Sequence, residues 1–160
     1  IEAQSFKQIR ALTSLTEFDR EQQQVVMRIV HSVGIPEVAK QVRFSRHACQ
    51  TGMQALVADC TILCDVEMVK QGITKRMITK TPQCFLNDPS AISMAKDSGE
   101  TRSMAAVQLW ESHLRGSVVV IGNAPTALFR LLEMIEQGAE KPALIIGMPV
   151  GFVGDRKSVV

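Results

Sequence analysis

The chain has 160 residues, 46% of them apolar, with 18 Lys+Arg against 16 Asp+Glu. That is enough for one domain with a sizeable core, and it excludes the disordered, collagen-like and low-complexity classes. A net charge of +2 is far from the basic excess that neutralises a nucleic-acid backbone, so no nucleic-acid partner is expected, and no apolar run reaches the length of a membrane span.

In chain order, Thr16-Glu17-Phe18-Asp19 carries an N-cap signal, and Val26, Ile29, Val30 and Val33 recur at helical spacing, which predicts a helix over 19–33. Gly34 supplies its left-handed stop and Pro36 prevents continuation, so His31 falls in the last turn. Ser45 is placed to cap a second helix bearing Met53, Leu56 and Val57. The apolar run 61–66 reads as a strand. A turn at Gly72 leads to another predicted strand over 83–87, ended by Asp88-Pro89. Helices over 91–96 and 101–114 follow, separated by Gly99, with Thr101 as N-cap of the second.

The β-branched run 117–122 is of the kind buried on both faces of a parallel sheet. Pro125 opens a helix whose Leu128, Leu131, Leu132 and Ile135 share one face, and 142–147 is a further strand. This alternation predicts an α/β fold: a single-domain, open, mostly parallel sheet with helices on both faces. Ligands of such sheets collect beyond the carboxyl ends of the strands, which here are Asp65, Asn87, Gly122-Asn123 and Gly147-Met148-Pro149.

Only three histidines are present, His31, His47 and His113, so proton transfer near neutral pH has few candidates. At a helix C-terminus the dipole favours an imidazolium, which suits His31 to donating a proton. The same position also fits a half-buried histidine bonded to a nearby carbonyl. His47 and His113 lie among polar residues and read as surface. Thr101-Arg102-Ser103 offers a guanidinium and two hydroxyls at a helix start, a combination that holds a carboxylate; ordinary capping, with Arg102 solvated or paired to Glu100, is the competing reading. Gly122-Asn123-Ala124-Pro125-Thr126 matches neither dinucleotide nor P-loop spacing, and what it offers is a tight turn exposing amides together with the Asn123 and Thr126 side chains. The loop 72–76 adds two cations and a hydroxyl.

Cys49, Cys60, Cys64 and Cys84 fall at irregular intervals with no zinc-ligand pattern, so no metal is expected, and the thiols read as reduced, as in the cytoplasm. Asp65 and Glu67 do not look like a metal site or a carboxylate dyad, and no hydrolase triad is supported.

The strings Ile121-Gly122-Asn123-Ala124-Pro125-Thr126-Ala127-Leu128-Phe129 and Lys141-Pro142-Ala143-Leu144-Ile145-Ile146-Gly147-Met148-Pro149-Val150-Gly151-Phe152-Val153-Gly154 resemble the precorrin-8X methylmutase family. So do Ser5-Phe6, Val30-His31, the segment 63–69 with Gly72-Ile73-Thr74, and Thr101-Arg102-Ser103, so the resemblance spans nearly the whole chain. It implies one corrinoid methylmutase domain over 1–160, incomplete at both termini, acting in cobalamin biosynthesis. The implied reaction moves a ring C methyl group from carbon eleven to carbon twelve of precorrin-8X or its cobalt form, with no redox cofactor.

By the same resemblance His31 is the proton donor, and Ser5, Thr74, Arg102, Ser103, Asn123 and Thr126 contact the carboxylates of the substrate. Met148, Pro149 or Phe152 would cover the ring face, and the protein would be a cytoplasmic homodimer. Where the family usually has Asn, this chain has Glu100, which would repel an anion unless Arg102 neutralises it. The rival reading is a nucleotide- or tetrapyrrole-binding α/β module without catalysis.

Overall fold

The computed structural model describes residues 2–150, which group into two compact units, one running to Cys49 and the other starting at Gln50. The expectations placed on 151–160, Phe152 among them, lie outside the described residues.

The first unit holds α1 (Glu2–Leu12), α2 (Arg20–Val33) and a 3-10 turn over Pro36–Gln41. Ile9 of α1 packs with Val26, Met27 and Val30 of α2, and Leu15, Ala39 and Val42 complete that core. Asp19 starts α2 as expected: its side chain accepts the amides of Glu21 and Gln22, both at 2.9 Å, while the Gln22 side chain accepts the Asp19 amide at 3.2 Å. Such a reciprocal box stabilises a helix start by about 1 kcal/mol. At the other end Gly34 is left-handed (φ 77°) and its amide reaches the Val30 carbonyl, a conformation glycine adopts without the penalty a Cβ imposes. Helix α1 was not predicted, because its apolar positions are sparse.

The second unit contains most of α3 (Ala48–Val57), then β1 (Ile62–Cys64), α4 (Glu67–Gly72), α5 (Pro89–Ser98), α6 (Arg102–Gln108), β2 (Val118–Ile121), α7 (Pro125–Glu136) and β3 (Leu144–Gly147). The fold is α/β with an open three-stranded sheet in the order β1-β2-β3, parallel throughout. Ile62 faces Val118 and Leu63 faces Val119 in register, and Val118 in turn faces Leu144. Central β2 is the β-branched run, with Val118, Val119 and Ile121 buried, as a strand covered on both faces requires. Trp110, Leu114, Leu63, Ala127, Leu128 and Leu131 share its core.

Several expectations are corrected. The strand over 83–87 reduces to one parallel bridge between Gln83 and Leu63, since Pro82 can donate nothing to a ladder and 86–87 already turn toward the next helix. The helix over 101–114 ends at Gln108, and Glu111–His113 forms a separate 3-10 turn that packs Trp110 and Leu114 into the core. Ser45 caps nothing with its side chain; its carbonyl accepts the Ala48 amide at 3.2 Å instead. The helix expected to bear Met53, Leu56 and Val57 is present as α3, with all three exposed, and it buries Gly52 and Ala55. A Cβ at Gly52 would come within 2.7 Å of a Leu144 methyl, so a larger residue there would push that side chain aside.

Candidate functional site

His31 lies in the last turn of α2, exposed, with its Nδ1 3.0 Å from the Oγ of Ser5 on α1. The Phe6 ring is tilted against the imidazole with centroids 5.4 Å apart, and the Arg28 guanidinium lies over the same Phe6 ring, 5.4 Å from its centroid. In the protonated ring Nδ1–H donates to Ser5, which leaves Nε2–H as the proton that can be given away. The competing reading, a half-buried histidine bonded to a carbonyl, does not hold: the ring is exposed and its partner is a hydroxyl. The two residues are 26 positions apart, brought together by the packing of α1 on α2.

In the second unit the candidate groups stand at the carboxyl edge of the sheet and at the start of α6. Thr101 caps α6, its Oγ1 accepting the Met104 amide at 3.2 Å while it donates to Thr126 Oγ1 at 3.3 Å. The start of α6 is thereby joined to the first turn of α7. Arg102 is exposed and makes no ion pair or hydrogen bond among the described residues, and Ser103 is half-buried. With 7 residues, α6 adds little dipole, so anchoring of an anion here falls to side chains. Thr74 is exposed at the head of a short 3-10 turn, apart from that junction in its hydrogen bonding.

Glu100 is not neutralised by Arg102. Its carboxylate bonds the Arg130 guanidinium and accepts from the Gln108 amide at 3.3 Å, and Arg130 also lies 3.1 Å from Glu133. The acid beside the proposed anion site is therefore tied into a half-buried network that does not include Arg102.

The amides of the 122–124 turn are not exposed for a ligand, contrary to expectation. Asp65, 2% exposed, takes all three: Oδ1 accepts from Gly122 at 3.2 Å, and Oδ2 from Asn123 at 2.9 Å and Ala124 at 2.7 Å. Sequence reasoning had Asp65 at the sheet edge but gave it no role. The clue was a turn into a helix with no capping side chain of its own, Ala124 being the N-cap and Pro125 the next residue. His113 is also more than a surface residue, being half-buried and stacked on Phe85 at 5.6 Å.

Among the described residues no group of three or more His, Cys, Asp or Glu side chains could hold a metal ion. All four cysteines are unbridged. Burial pushes the Cys64 thiol up to about 12, with Cys84 and Asp65 adding to the effect, and burial raises Cys84 as well, so neither suits a nucleophile. No described helix is long and apolar enough to cross a membrane.

The first unit carries an exposed imidazole bonded to a hydroxyl, and the second, by itself, an exposed guanidinium and several hydroxyls at the start of α6 and the carboxyl edge of a parallel sheet; such groups suit acid–base chemistry and carboxylate binding respectively. Comparison with known proteins is specific. The model of the family described as precorrin-8X methylmutase matches residues 1–159. A precorrin-8X methylmutase of Pseudomonas aeruginosa is 46% identical over 157 residues, covering 97% of this chain and 76% of the relative. A cobalt-precorrin-8 methylmutase of Methanocaldococcus jannaschii is 36% identical over 139 residues, covering 87% of this chain and 64% of the relative. The crystal structure of a precorrin-8X methylmutase from Thermus thermophilus superposes with a TM-score of 0.87 at 34% identity, over 98% of this chain and 77% of that one. The chain belongs to the precorrin-8X methylmutase family, isomerases of the intramolecular-transferase class that act in cobalamin biosynthesis.

Proposed function

We propose that this chain, as one methylmutase domain over 1–160, converts precorrin-8X or its cobalt form by moving the ring C methyl group from carbon eleven to carbon twelve. The carbon–methyl bond at carbon eleven breaks as the bond at carbon twelve forms. Substrate and product are isomers, and the step needs no oxidant, reductant or external methyl donor. His31 is the general acid: Nε2–H protonates the ring system, the withdrawn electron density lowers the barrier to migration, and the neutral Nε2 takes a proton back once the methyl group has moved. Ser5 holds the ring through Nδ1. The observation that carries this reading is the exposed His31 imidazole fixed by Ser5 at 3.0 Å in a chain of this family.

The substrate is a flat macrocycle rimmed by carboxylates, and Arg102, Ser103, Asn123, Thr126, Thr74 and the Ser5 hydroxyl are the groups suited to binding them. Local donors of this kind bind many carboxylates without a strongly basic protein. Met148, exposed beyond β3, and the neighbouring Pro149 suit the apolar face of the ring. The working form is a cytoplasmic homodimer. The higher identity to a relative named for the metal-free substrate than to one named for the cobalt form favours precorrin-8X. A nucleotide-binding module is disfavoured, because the amides that would cradle a phosphate are already bonded to Asp65.

The test is incubation of the purified protein with precorrin-8X and, separately, with its cobalt analogue, following the visible absorption change of the rearranged conjugated system. Turnover of either supports the assignment; no change with both, in protein that remains folded, rejects it.

A further inference from the structure

We infer that Asp65 is a positioning residue of the substrate-binding edge: by holding the amides of Gly122, Asn123 and Ala124 it sets the turn that presents the Asn123 and Thr126 side chains, and it keeps those amides out of substrate binding. The inference rests on the reading of the site given above, and it assigns a role to a carboxylate that the reaction itself does not use.

Three successive amides converging on one point form a concave donor site that elsewhere receives phosphates or other anions. Here the anion is internal. Asp65 is fixed by the sheet, its own amide donating to the Val120 carbonyl at 3.3 Å and so extending the β1–β2 ladder by one residue. Its buried carboxylate then meets the three amides at 2.7–3.2 Å. Without it they would be orphaned, since Ala124 offers no capping side chain.

The turn is constrained from other sides as well. A Cβ on Gly122 would lie 2.7 Å from a methyl of Val69 on α4, and Val, stiff at χ1, yields little. The Asn123 carbonyl accepts the Val150 amide at 3.1 Å. With both backbone groups of Asn123 engaged, its side-chain amide is the part left to face a ligand, and Thr126 is steadied by Thr101 at 3.3 Å. A carboxylate of the substrate is thus read by side chains whose placement is decided by a residue that never touches it.

The experiment compares Asp65→Asn with the wild type, alone and in the background Asn123→Ala/Thr126→Ala, using precorrin-8X turnover and calorimetric affinity for the product. In Asn an NH2 replaces one acceptor oxygen and opposes an amide. The expected result is a KM and product Kd raised about tenfold or more with kcat within about threefold, because His31 is untouched. In the double-variant background the same substitution should shift KM by less than about threefold, since the groups it positions are gone.

An equal effect in both backgrounds, or an unchanged KM in folded Asp65→Asn, overturns the inference. A readout on the wild type keeps the test open should the variant not fold: on titration with product, the Asn123 and Ala124 backbone amides should retain their hydrogen-exchange protection, and loss of that protection also overturns it. Wild type that neither rearranges precorrin-8X nor binds product defeats the reading of the site; active wild type whose Asp65 variants behave like it defeats this inference alone.

Discussion

The hydroxyl of Ser5 stands 3.0 Å from Nδ1 of His31, linking the first turn of one helix to the last turn of the next. The bond restrains the ring, and in the proposed acid it would leave Nε2–H as the proton to be given away. Ser5→Ala should lower kcat by about tenfold, as expected if the proposed acid loses orientation but keeps its identity, and raise KM several-fold through loss of a carboxylate contact. Steady-state kinetics on precorrin-8X separate the two parameters.

His31→Ala removes the proposed acid itself. A positioned general acid contributes roughly 10²–10⁴-fold, so turnover should fall by that factor while calorimetric affinity for the product changes little. The exposed position predicts a stability change within about 0.5 kcal/mol. A variant that still turns over at the wild-type rate would remove His31 from the mechanism.

Arg102 is exposed and uncommitted, because Arg130 has taken Glu100. Arg102→Ala should raise KM about 10- to 100-fold, the value of a charge-assisted carboxylate contact. Lys at this position should recover only part of the loss, since a point charge lacks the planar fork. Unchanged KM in both variants would place the anchoring elsewhere.

Arg130→Met leaves the Glu100 carboxylate half-buried without its cation, and should destabilise the fold by about 1–3 kcal/mol. Glu100→Gln, which keeps a hydrogen-bonding side chain, should cost less. Emission of Trp110, the one tryptophan of the sequence and fully buried, reports the urea midpoint of each variant.

Alkaline stability follows from the thiols. Burial raises Cys64 from an ordinary 9.0 to about 12, so the folded chain keeps a proton that the unfolded chain releases. The stabilisation is complete below about pH 9 and declines as pH climbs toward 12, by up to about 1.4 kcal/mol per pH unit for this thiol. Urea unfolding at pH 8, 9 and 10 should show a shallower decline in Cys64→Ala than in the wild type.

Local codes were legible in the sequence where the structure depends on neighbours a few residues apart. Asp19 and Gly34 bound α2 as read, and with them His31 was placed in its last turn; the runs at β2 and β3 and the cap at Thr101 were equally plain. What failed depended on distance along the chain. The three amides of the 122–124 turn look free until Asp65 arrives from 57 to 59 positions away. Glu100 looks like the natural partner of Arg102 two residues on, but Arg130, 30 positions away, reaches it. Met53, Leu56 and Val57 mark α3 as a helix in the sequence, but which face packs is decided by small Gly52 and Ala55. Similarity to a family supplied the chemistry that none of these patterns encodes.

Because all three strands run the same way, none can find its partner in the residues made just before it. Ile62 must await Val118, and Asp65 must await Gly122, 57 positions later. At a ribosomal pace of about 5–20 residues per second, that carboxylate stays hydrated for several seconds while the nascent chain lengthens, and only then gives up its water for three amides. Closure of the sheet and assembly of its carboxyl edge are consequently one late event in biosynthesis, and ribosome-bound chains arrested before and after residue 124 emerges should differ sharply in their resistance to protease.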